Sequence, residues 1–195
     1  MKIGIDADGV LTDMSRFNLE CGKEYFKREA KDPCAYGIRE MFECTERQEF
    51  KYGLKYFFKY CRSCPPRENC AKVLSLLNDD GNELYEITAR KFVTMKNPLG
   101  LYSRRLFLKW TKRYKMEFKD FFYCSESNSP EDKLNGCRKF GVNIMIDDKP
   151  EVAYFLAQNG IMVLLFDTPY NQTVNGTNII RVSDWNDVYR KLKQR

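Results

Sequence analysis

The sequence predicts an α/β fold built on a parallel β-sheet that is covered by helices on both faces. Two observations support this prediction. Strand-like and helix-like segments alternate along the C-terminal two thirds of the chain, which is the order typical of parallel sheets. In addition, Asn143–Asp147 and Ile161–Phe166 are apolar without strict alternation, as expected for strands that are buried on both faces.

The strand-like segments begin at the N-terminus and resume after a long interval. The first is Lys2–Asp6, and the others are Glu83–Thr88, Asp120–Cys124, Asn143–Asp147, Ile161–Phe166 and Asn178–Val182. Helical stretches are expected between the later strands.

Those helical stretches have recognisable start and stop signals. Ser129-Pro130 begins one helix and Gly141 ends it, while Pro150 begins another helix that Gly160 ends. Ser183 is expected to cap the last helix of the chain. These signals divide the C-terminal part of the sequence into the alternating elements that the fold requires.

A different kind of segment follows the first strand. From about Met14 to Arg62 the chain is rich in aromatic and charged residues and reads as two or three helices, and a sheet-covering helix returns only with Glu68–Asp80. We therefore predict a core of residues 1–13 and 68–195 and a small helical cap of residues 14–67, called the cap segment below. Ligands of such folds lie beyond the carboxyl ends of the strands, where this insertion can cover them.

The composition excludes several kinds of chemistry. The 195-residue chain contains no histidine, which excludes Ser-His and Cys-His catalysis and histidine metal ligands. Its net charge of +6 favours anionic partners, but the basic residues are spread along the chain and do not indicate a nucleic acid polymer. Neither an apolar run of about 18 residues nor a signal-peptide pattern is present, so we expect a cytoplasmic protein without a membrane partner.

The chain has eight cysteines, which we expect to be free thiols because the sequence opens without a secretory pattern. A zinc site is a second hypothesis. Cys61, Cys64 and Cys70 include a Cys-x-x-Cys pair, and Cys34 or Cys44 could complete a set of four sulfur ligands.

Polar groups follow three of the predicted strands at their carboxyl ends. Asp6 and Asp8 follow the first strand, Thr88 ends the next, and Asp147 and Asp148 end the strand that begins at Asn143. Parallel strands bring these residues to one edge of the sheet, where four carboxylates repel one another unless a cation lies among them. Oxygen ligands without histidine favour Mg²⁺.

Two further residues complete the predicted site. Gly9 allows a sharp turn and a close approach to a ligand, so that free N–H groups after the strand can surround a phosphate. Lys133 can supply a positive charge. Taken singly, each residue has an ordinary explanation, such as a turn at Asp-Gly or a helix N-terminus at Asp147-Asp148. Their joint occurrence, in order and at strand ends, indicates a phosphate site.

These residues resemble the four motifs of the haloacid dehalogenase-like hydrolase superfamily. The segment Asp6-Ala7-Asp8-Gly9-Val10-Leu11-Thr12-Asp13 is similar to motif one, and Ile87-Thr88-Ala89-Arg90 is similar to motif two. Lys133 and Ile146-Asp147-Asp148 resemble motifs three and four. The resemblance covers nearly the whole chain and implies a Rossmann-like core. Motif two and Phe166-Asp167-Thr168-Pro169-Tyr170-Asn171 further resemble the 5′-nucleotidase branch, deoxyribonucleotidase-like type C.

The resemblance implies a Mg²⁺-dependent hydrolysis of phosphomonoesters in two steps. Asp6 would attack phosphorus and form an aspartyl-phosphate, and Asp8 would act as general acid and then as general base. The residues implied for phosphate binding are Gly9, Thr88, Ala89 and Lys133. The residues implied for the metal are Asp6, Asp8 through its backbone carbonyl, Asp148 as a direct ligand and Asp147 through water.

The implied substrate is a small phosphorylated molecule, a nucleoside monophosphate by the 5′-nucleotidase resemblance. The same chemistry on a sugar phosphate is an alternative, and a non-catalytic phosphoryl-ligand binder is a third hypothesis that the Asp6/Asp8 pair disfavours. Seven aromatic residues are expected to pack the cap segment, and one or two of them could stack on a base: Phe17, Tyr25, Phe26, Phe42, Phe50, Tyr56 and Phe57.

Overall fold

The computed structural model describes residues Met1–Arg195 and contains a single six-stranded sheet. The strands are β1 (Lys2–Ile5), β2 (Glu83–Thr88), β3 (Asp120–Tyr123), β4 (Ile144–Asp147), β5 (Met162–Phe166) and β6 (Ile179–Val182). Their order is β3-β2-β1-β4-β5-β6, and every neighbouring pair is parallel. The predicted parallel sheet is therefore confirmed. The strand order reverses at β1, the position at which such sheets bind ligands.

Eight α-helices complete the fold. They are α1 (Met14–Phe26), α2 (Ile38–Phe42), α3 (Glu46–Ser63), α4 (Cys70–Asp79), α5 (Pro98–Arg113), α6 (Ser129–Phe140), α7 (Pro150–Gln158) and α8 (Trp185–Lys193). One apolar cluster joins α4, α5 and α8 to one face of the sheet, and a second joins α6 and α7 to the other face. None of these helices is both long enough and apolar enough to cross a membrane.

The two covered faces explain the apolar runs of the sequence. Within β5, Leu164 and Phe166 belong to the first apolar cluster, whereas Val163 and Leu165 belong to the second. Successive side chains of a strand point to opposite faces. Because both faces of β5 are buried, both sets of side chains must be apolar.

Several predicted boundaries were wrong by one or two residues. Asp184, not Ser183, caps α8, because its side chain accepts a hydrogen bond from the Asp187 amide at 2.8 Å. Asn178 has φ of +64°, a left-handed conformation that cannot continue a strand, so β6 begins at Ile179. Similarly, Asn69 has φ of +59°, and α4 begins after it rather than at Glu68.

The cap segment contains α1, α2 and α3, which lie outside the sheet and share an apolar cluster that includes Met41, Phe42 and Tyr52. The chain leaves and re-enters the sheet layer at adjacent points, because the Arg67 amide donates to the Leu11 carbonyl at 2.8 Å. Asp13 caps α1 by accepting from the Arg16 amide at 3.0 Å. We propose on this basis that residues 14–67 act as one lobe on a core of residues 1–13 and 68–195.

Candidate active site

Three adjacent strands bring Asp6, Thr88 and Asp147 of the predicted site together. Asp6 follows β1, and its amide donates to the Ile146 carbonyl of β4 at 3.0 Å. This bond aligns Asp6 with Asp147, the last residue of β4. Thr88 ends β2 on the other side of β1, and its Oγ1 accepts from the Arg90 amide at 3.2 Å. The parallel register therefore places all three side chains at one sheet edge.

Lys133 joins two of these carboxylates. Its Nζ lies 2.9 Å from Asp6 Oδ1 and 2.6 Å from Asp147 Oδ2, and its side chain is 1% exposed. Burial acts to lower the pKa of Lys133, but the charges of Asp147 and Asp6 outweigh it and raise the pKa well above its ordinary value. Lys133 is therefore a fixed cation beside Asp6, supplied by the N-terminal half of α6.

The neighbouring carboxylates Asp147 and Asp148 have different surroundings. Both oxygens of Asp147 accept protein hydrogen bonds, Oδ2 from Lys133 and Oδ1 from the backbone amides of Asp148 and Lys149 at 3.0 and 3.1 Å. Asp148 Oδ2 accepts from the Tyr170 hydroxyl, but the buried Oδ1 has no hydrogen-bond partner. Asp148 thus has one buried oxygen that is free to contact a ligand, whereas both oxygens of Asp147 are already occupied by hydrogen bonds.

Gly9 packs directly against Asp148. Its φ is +93°, a conformation that side-chain-bearing residues rarely adopt, and a Cβ at this position would lie 2.0 Å from Asp148 Oδ2. The turn is closed by the Thr12 amide, which donates to the Ala7 carbonyl at 3.1 Å, and by the backbone bridge between Asp8 and Thr12. Gly9 therefore serves both the turn and the close approach of backbone to carboxylate.

Asp8 is held by residues that the sequence did not assign to the site. Its Oδ1 accepts from the Tyr60 hydroxyl at 2.7 Å and from Arg90 Nε at 2.8 Å, and Arg90 Nη2 donates to the same oxygen. Arg90 immediately follows the Thr88-Ala89 pair, so its position in the sequence was a usable signal. Tyr60 lies on α3, 52 residues from Asp8, and no local pattern marked it.

Burial changes the protonation of the acidic group. Burial, together with the charges of Asp147 and Asp8, raises the pKa of Asp6 to about 6 against the opposing charge of Lys133. Burial and the charges of Asp147 and Asp6 also raise the pKa of Asp148 well above its ordinary value, against the hydrogen bond from Tyr170. Closely spaced buried carboxylates bind protons tightly when no cation offsets their charge.

The chemistry of this group fits a hard divalent cation. Ligand oxygens of Asp6, Asp147 and Asp148 lie within 4.8 Å of one another, and Asp148 contributes the unpartnered Oδ1. Carboxylate oxygens are the ligands that Mg²⁺ prefers. No cysteine takes part in a comparable group of three or more potential ligands, and Cys61 and Cys64 pack as free thiols beside Tyr60. The zinc hypothesis therefore gains no support.

A cavity of about 920 Å³ opens onto the acidic residues. It is lined by five of the residues predicted for the site, namely Asp6, Asp8, Thr88, Ala89 and Lys133. Gly9, Asp147 and Asp148 lie behind this surface rather than on it. The cap segment supplies the opposite wall, which includes Phe17 and Phe57. The cavity thus lies between the sheet edge and the cap segment.

The aromatic residues of the cap segment divide into two groups. Tyr25, Phe26, Phe42 and Tyr56 pack with Tyr52 in a continuous cluster of stacked and edge-on rings. Phe57 instead contacts Phe92 of the loop after β2, with ring centroids 4.9 Å apart. Both rings line the cavity, and Phe50 at its rim is 66% exposed.

Comparison with known proteins agrees with this geometry. The family described as 5′ nucleotidase, deoxy (pyrimidine), cytosolic type C matches residues 1–195. A nucleotidase of Clostridium acetobutylicum is 25% identical over 191 residues, which cover 97% of this chain and 92% of that protein.

Solved structures share the fold. The crystal structure of a predicted phosphatase from Clostridium acetobutylicum superposes with a TM-score of 0.68 at 17% identity, covering 100% of this chain and 98% of the other. D,D-heptose 1,7-bisphosphate phosphatase from B. bronchiseptica, complexed with magnesium and phosphate, has a TM-score of 0.60 at 13% identity, with coverage of 100% and 99%. The chain is a hydrolase of the haloacid dehalogenase-like superfamily and belongs to the cytosolic type C 5′-nucleotidase family.

Proposed function

We propose that this chain hydrolyses nucleoside monophosphates with Mg²⁺ through an aspartyl-phosphate on Asp6. One observation carries the proposal: Asp6 and Asp8 both line the cavity, and Lys133 lies 2.9 Å from Asp6 Oδ1. A nucleophile, a second carboxylate and a fixed cation therefore face the space that a phosphoryl group would occupy. These are the groups that phosphoryl transfer through a covalent intermediate requires.

In the first step the Asp6 carboxylate attacks phosphorus, and the bond between phosphorus and the ester oxygen breaks. Asp8, protonated at this stage, donates its proton to the departing oxygen. The products are an acyl-phosphate on Asp6, the free alcohol and the Asp8 carboxylate. Lys133 offsets the charge on the transferring phosphoryl group.

In the second step the Asp8 carboxylate removes a proton from water as the water oxygen attacks phosphorus. The bond between phosphorus and Asp6 breaks, releasing inorganic phosphate and restoring the Asp6 carboxylate and protonated Asp8. Asp8 therefore serves as general acid in the first step and as general base in the second. The hydroxyl of Thr88, which lines the cavity, would contact the phosphoryl oxygens, together with backbone N–H groups of the turn that Gly9 allows.

Asp6, Asp148 and the backbone carbonyl of Asp8 would hold the cation, and Asp147 would contact it through water. The occupied oxygens of Asp147 and the unpartnered Oδ1 of Asp148 support this division. The bound cation supplies charge that stabilises the phosphoryl oxygens. That the B. bronchiseptica phosphatase of the same fold is complexed with magnesium and phosphate adds support.

The family and the nucleotidase of Clostridium acetobutylicum favour a nucleotide over a sugar phosphate. The cavity volume of about 920 Å³ has room for the larger group of either substrate, so the choice between them rests on the residues that line the cavity. The aromatic rings of Phe57 and Phe92 line the cavity and contact each other. Aromatic rings are suitable partners for the base of a nucleotide.

A phosphate-release assay tests the proposal. Nucleoside and deoxynucleoside monophosphates are compared with sugar phosphates, with Mg²⁺ and with EDTA. We expect Mg²⁺-dependent release that is fastest with a nucleotide, abolished in Asp6→Asn and retained in Asp79→Asn, which makes the same chemical change at an exposed residue. Faster release from a sugar phosphate would overturn the substrate assignment, and wild-type rates in Asp6→Asn would overturn the mechanism.

A further inference from the structure

The two oxygens of Asp8 are not equivalent. Oδ1 accepts hydrogen bonds from Tyr60 and from two nitrogens of Arg90, whereas Oδ2 accepts none and is not among the buried unpartnered atoms. A carboxyl oxygen surrounded by donors cannot itself carry a proton without displacing one of them. The proton of the neutral form of Asp8 therefore belongs on Oδ2, the oxygen left free toward the cavity.

Arg90 is a rigid part of this arrangement. Its guanidinium lies over the ring of Phe107 at 4.4 Å and over the ring of Tyr60 at 5.3 Å, and the residue is 4% exposed. Phe107 belongs to α5, which packs on the sheet. Arg90 is thus held by the core whether or not the cap segment moves.

Tyr60 reaches Asp8 from the cap segment. Its hydroxyl lies 2.7 Å from Asp8 Oδ1 and 2.5 Å from Thr12 Oγ1. Because the Asp8 carboxylate only accepts, the Tyr60 proton points to Asp8. The Thr12 hydroxyl lies beside the Tyr60 oxygen and within donating distance, 3.3 Å, of the Ala7 carbonyl. Tyr60 is therefore the donor to Asp8 that α3 carries.

We propose that Tyr60 is a positioning residue for Asp8, which couples the packing of the cap segment on the core to the orientation of the acid–base group. This inference rests on the proposed function. With Tyr60 in place, Oδ1 is fixed and Oδ2 delivers its proton to the leaving oxygen as the ester P–O bond breaks. In the second step Oδ2 receives a proton from the attacking water. Without the Tyr60 hydroxyl, Asp8 would keep Arg90 but lose the second residue that donates to Oδ1 and fixes its rotation.

The test compares two esters whose leaving groups need different help from an acid. p-Nitrophenolate departs without protonation, whereas the alkoxide of a nucleoside monophosphate requires a proton. The value of kcat/KM covers the steps through the first P–O cleavage. General acid catalysis contributes on the order of 10²- to 10⁴-fold, so we expect Tyr60→Phe to lower kcat/KM for the nucleotide by roughly tenfold to a hundredfold and for p-nitrophenyl phosphate by less than about threefold.

Tyr85→Phe is a matched control. Tyr85 is buried, and its hydroxyl also donates to a carboxylate at 2.7 Å, in this case Glu83. Since Tyr85 lies on β2 away from the cavity lining, its variant should leave the ratio of the two kcat/KM values unchanged. Thr12→Val provides a second variant, which removes the hydroxyl that contacts the Tyr60 oxygen and should shift the ratio in the same direction by a smaller factor.

The outcomes separate the inference from the function on which it rests. Equal losses on the two esters in Tyr60→Phe, with folding confirmed by thermal unfolding, would mean that Tyr60 only packs, and would overturn the inference alone. Wild-type protein that releases phosphate from neither ester would overturn both the proposed function and the role of Tyr60.

Discussion

Gly9 and Asp148 are in such close contact that a Cβ on Gly9 would lie 2.0 Å from Asp148 Oδ2. The contact joins the turn after β1 to the end of β4 across the proposed metal site. It makes the smallest residue of motif one a determinant of where the Asp148 carboxylate lies.

Gly9→Ala should therefore destabilise the protein and displace Asp148. The positive φ alone costs about 1–3 kcal/mol for a residue with a side chain, and the clash adds to it. We expect a lower Tm and a loss of phosphatase activity. Gly53→Ala is the control for stability, because a Cβ there meets no atom within 4 Å and alanine is favoured over glycine within a helix by about 0.5–1 kcal/mol. Equal Tm values in the two variants would contradict this explanation.

Lys133 should be essential for stability as well as for activity. Lys133→Met leaves Asp6 and Asp147 without their buried cation, and removing one partner of a buried ion pair costs about 3–5 kcal/mol. Denaturant unfolding measures the loss. Lys119→Met, which removes the exposed bridge to Glu83, should change the unfolding midpoint little. If the Lys133 variant is as stable as the Lys119 variant, the buried lysine does not hold the two carboxylates together.

Tyr170 should tune cation affinity through Asp148. Its hydroxyl donates to Asp148 Oδ2, and loss of a hydrogen bond that orients a ligand lowers metal affinity by roughly 10–100-fold. The rise of Tm with Mg²⁺ concentration gives the affinity for wild type and Tyr170→Phe. Tyr154→Phe, on an exposed position of α7, serves as the control. An unchanged midpoint in Tyr170→Phe would show that the hydroxyl does not act on the cation site.

Glu86 should make stability depend on pH. It is fully buried, neither oxygen has a hydrogen-bond partner, and burial together with the charge of Asp6 raises its pKa well above the ordinary value. The folded state therefore binds this proton more tightly than the unfolded state, so that wild type loses stability as pH rises above the unfolded pKa. Glu86→Gln keeps the shape and removes the titration.

The difference in unfolding free energy between Glu86→Gln and wild type should consequently increase from pH 5 to pH 8. One unit of pKa shift corresponds to about 1.4 kcal/mol, so an increase of at least about that size is expected. Glu83→Gln offers a control without pH dependence in this window, because hydrogen bonds from Lys119 and Tyr85 lower the pKa of Glu83, so that its contribution to stability is already complete above its unfolded pKa. A difference for Glu86→Gln that does not vary with pH would mean that Glu86 is charged in the folded protein.

The sequence predicted helix boundaries correctly where a single residue type restricts the backbone. Gly141 ends α6 in a left-handed conformation, and Pro150 begins α7, because these residues restrict or permit particular backbone angles wherever they occur. The boundaries that were wrong lie at Asn69, Asn178 and Ser183. There the outcome depended on a left-handed asparagine or on which of two adjacent polar residues faced the first turn of the helix.

The amino-acid sequence by itself determined the parallel sheet and the residues at its carboxyl edge, since strand periodicity and motif order place Asp6, Thr88 and Asp147 there without knowledge of packing. Tertiary structure alone decided which oxygens are free. Tyr60 and Arg90 reach Asp8 across 52 and 82 residues, and Tyr170 reaches Asp148 across 22. Such contacts depend on how the helices and loops pack on the sheet. Sequence patterns report only on residues a few positions apart, so they do not indicate hydrogen bonds between residues this far apart in the chain.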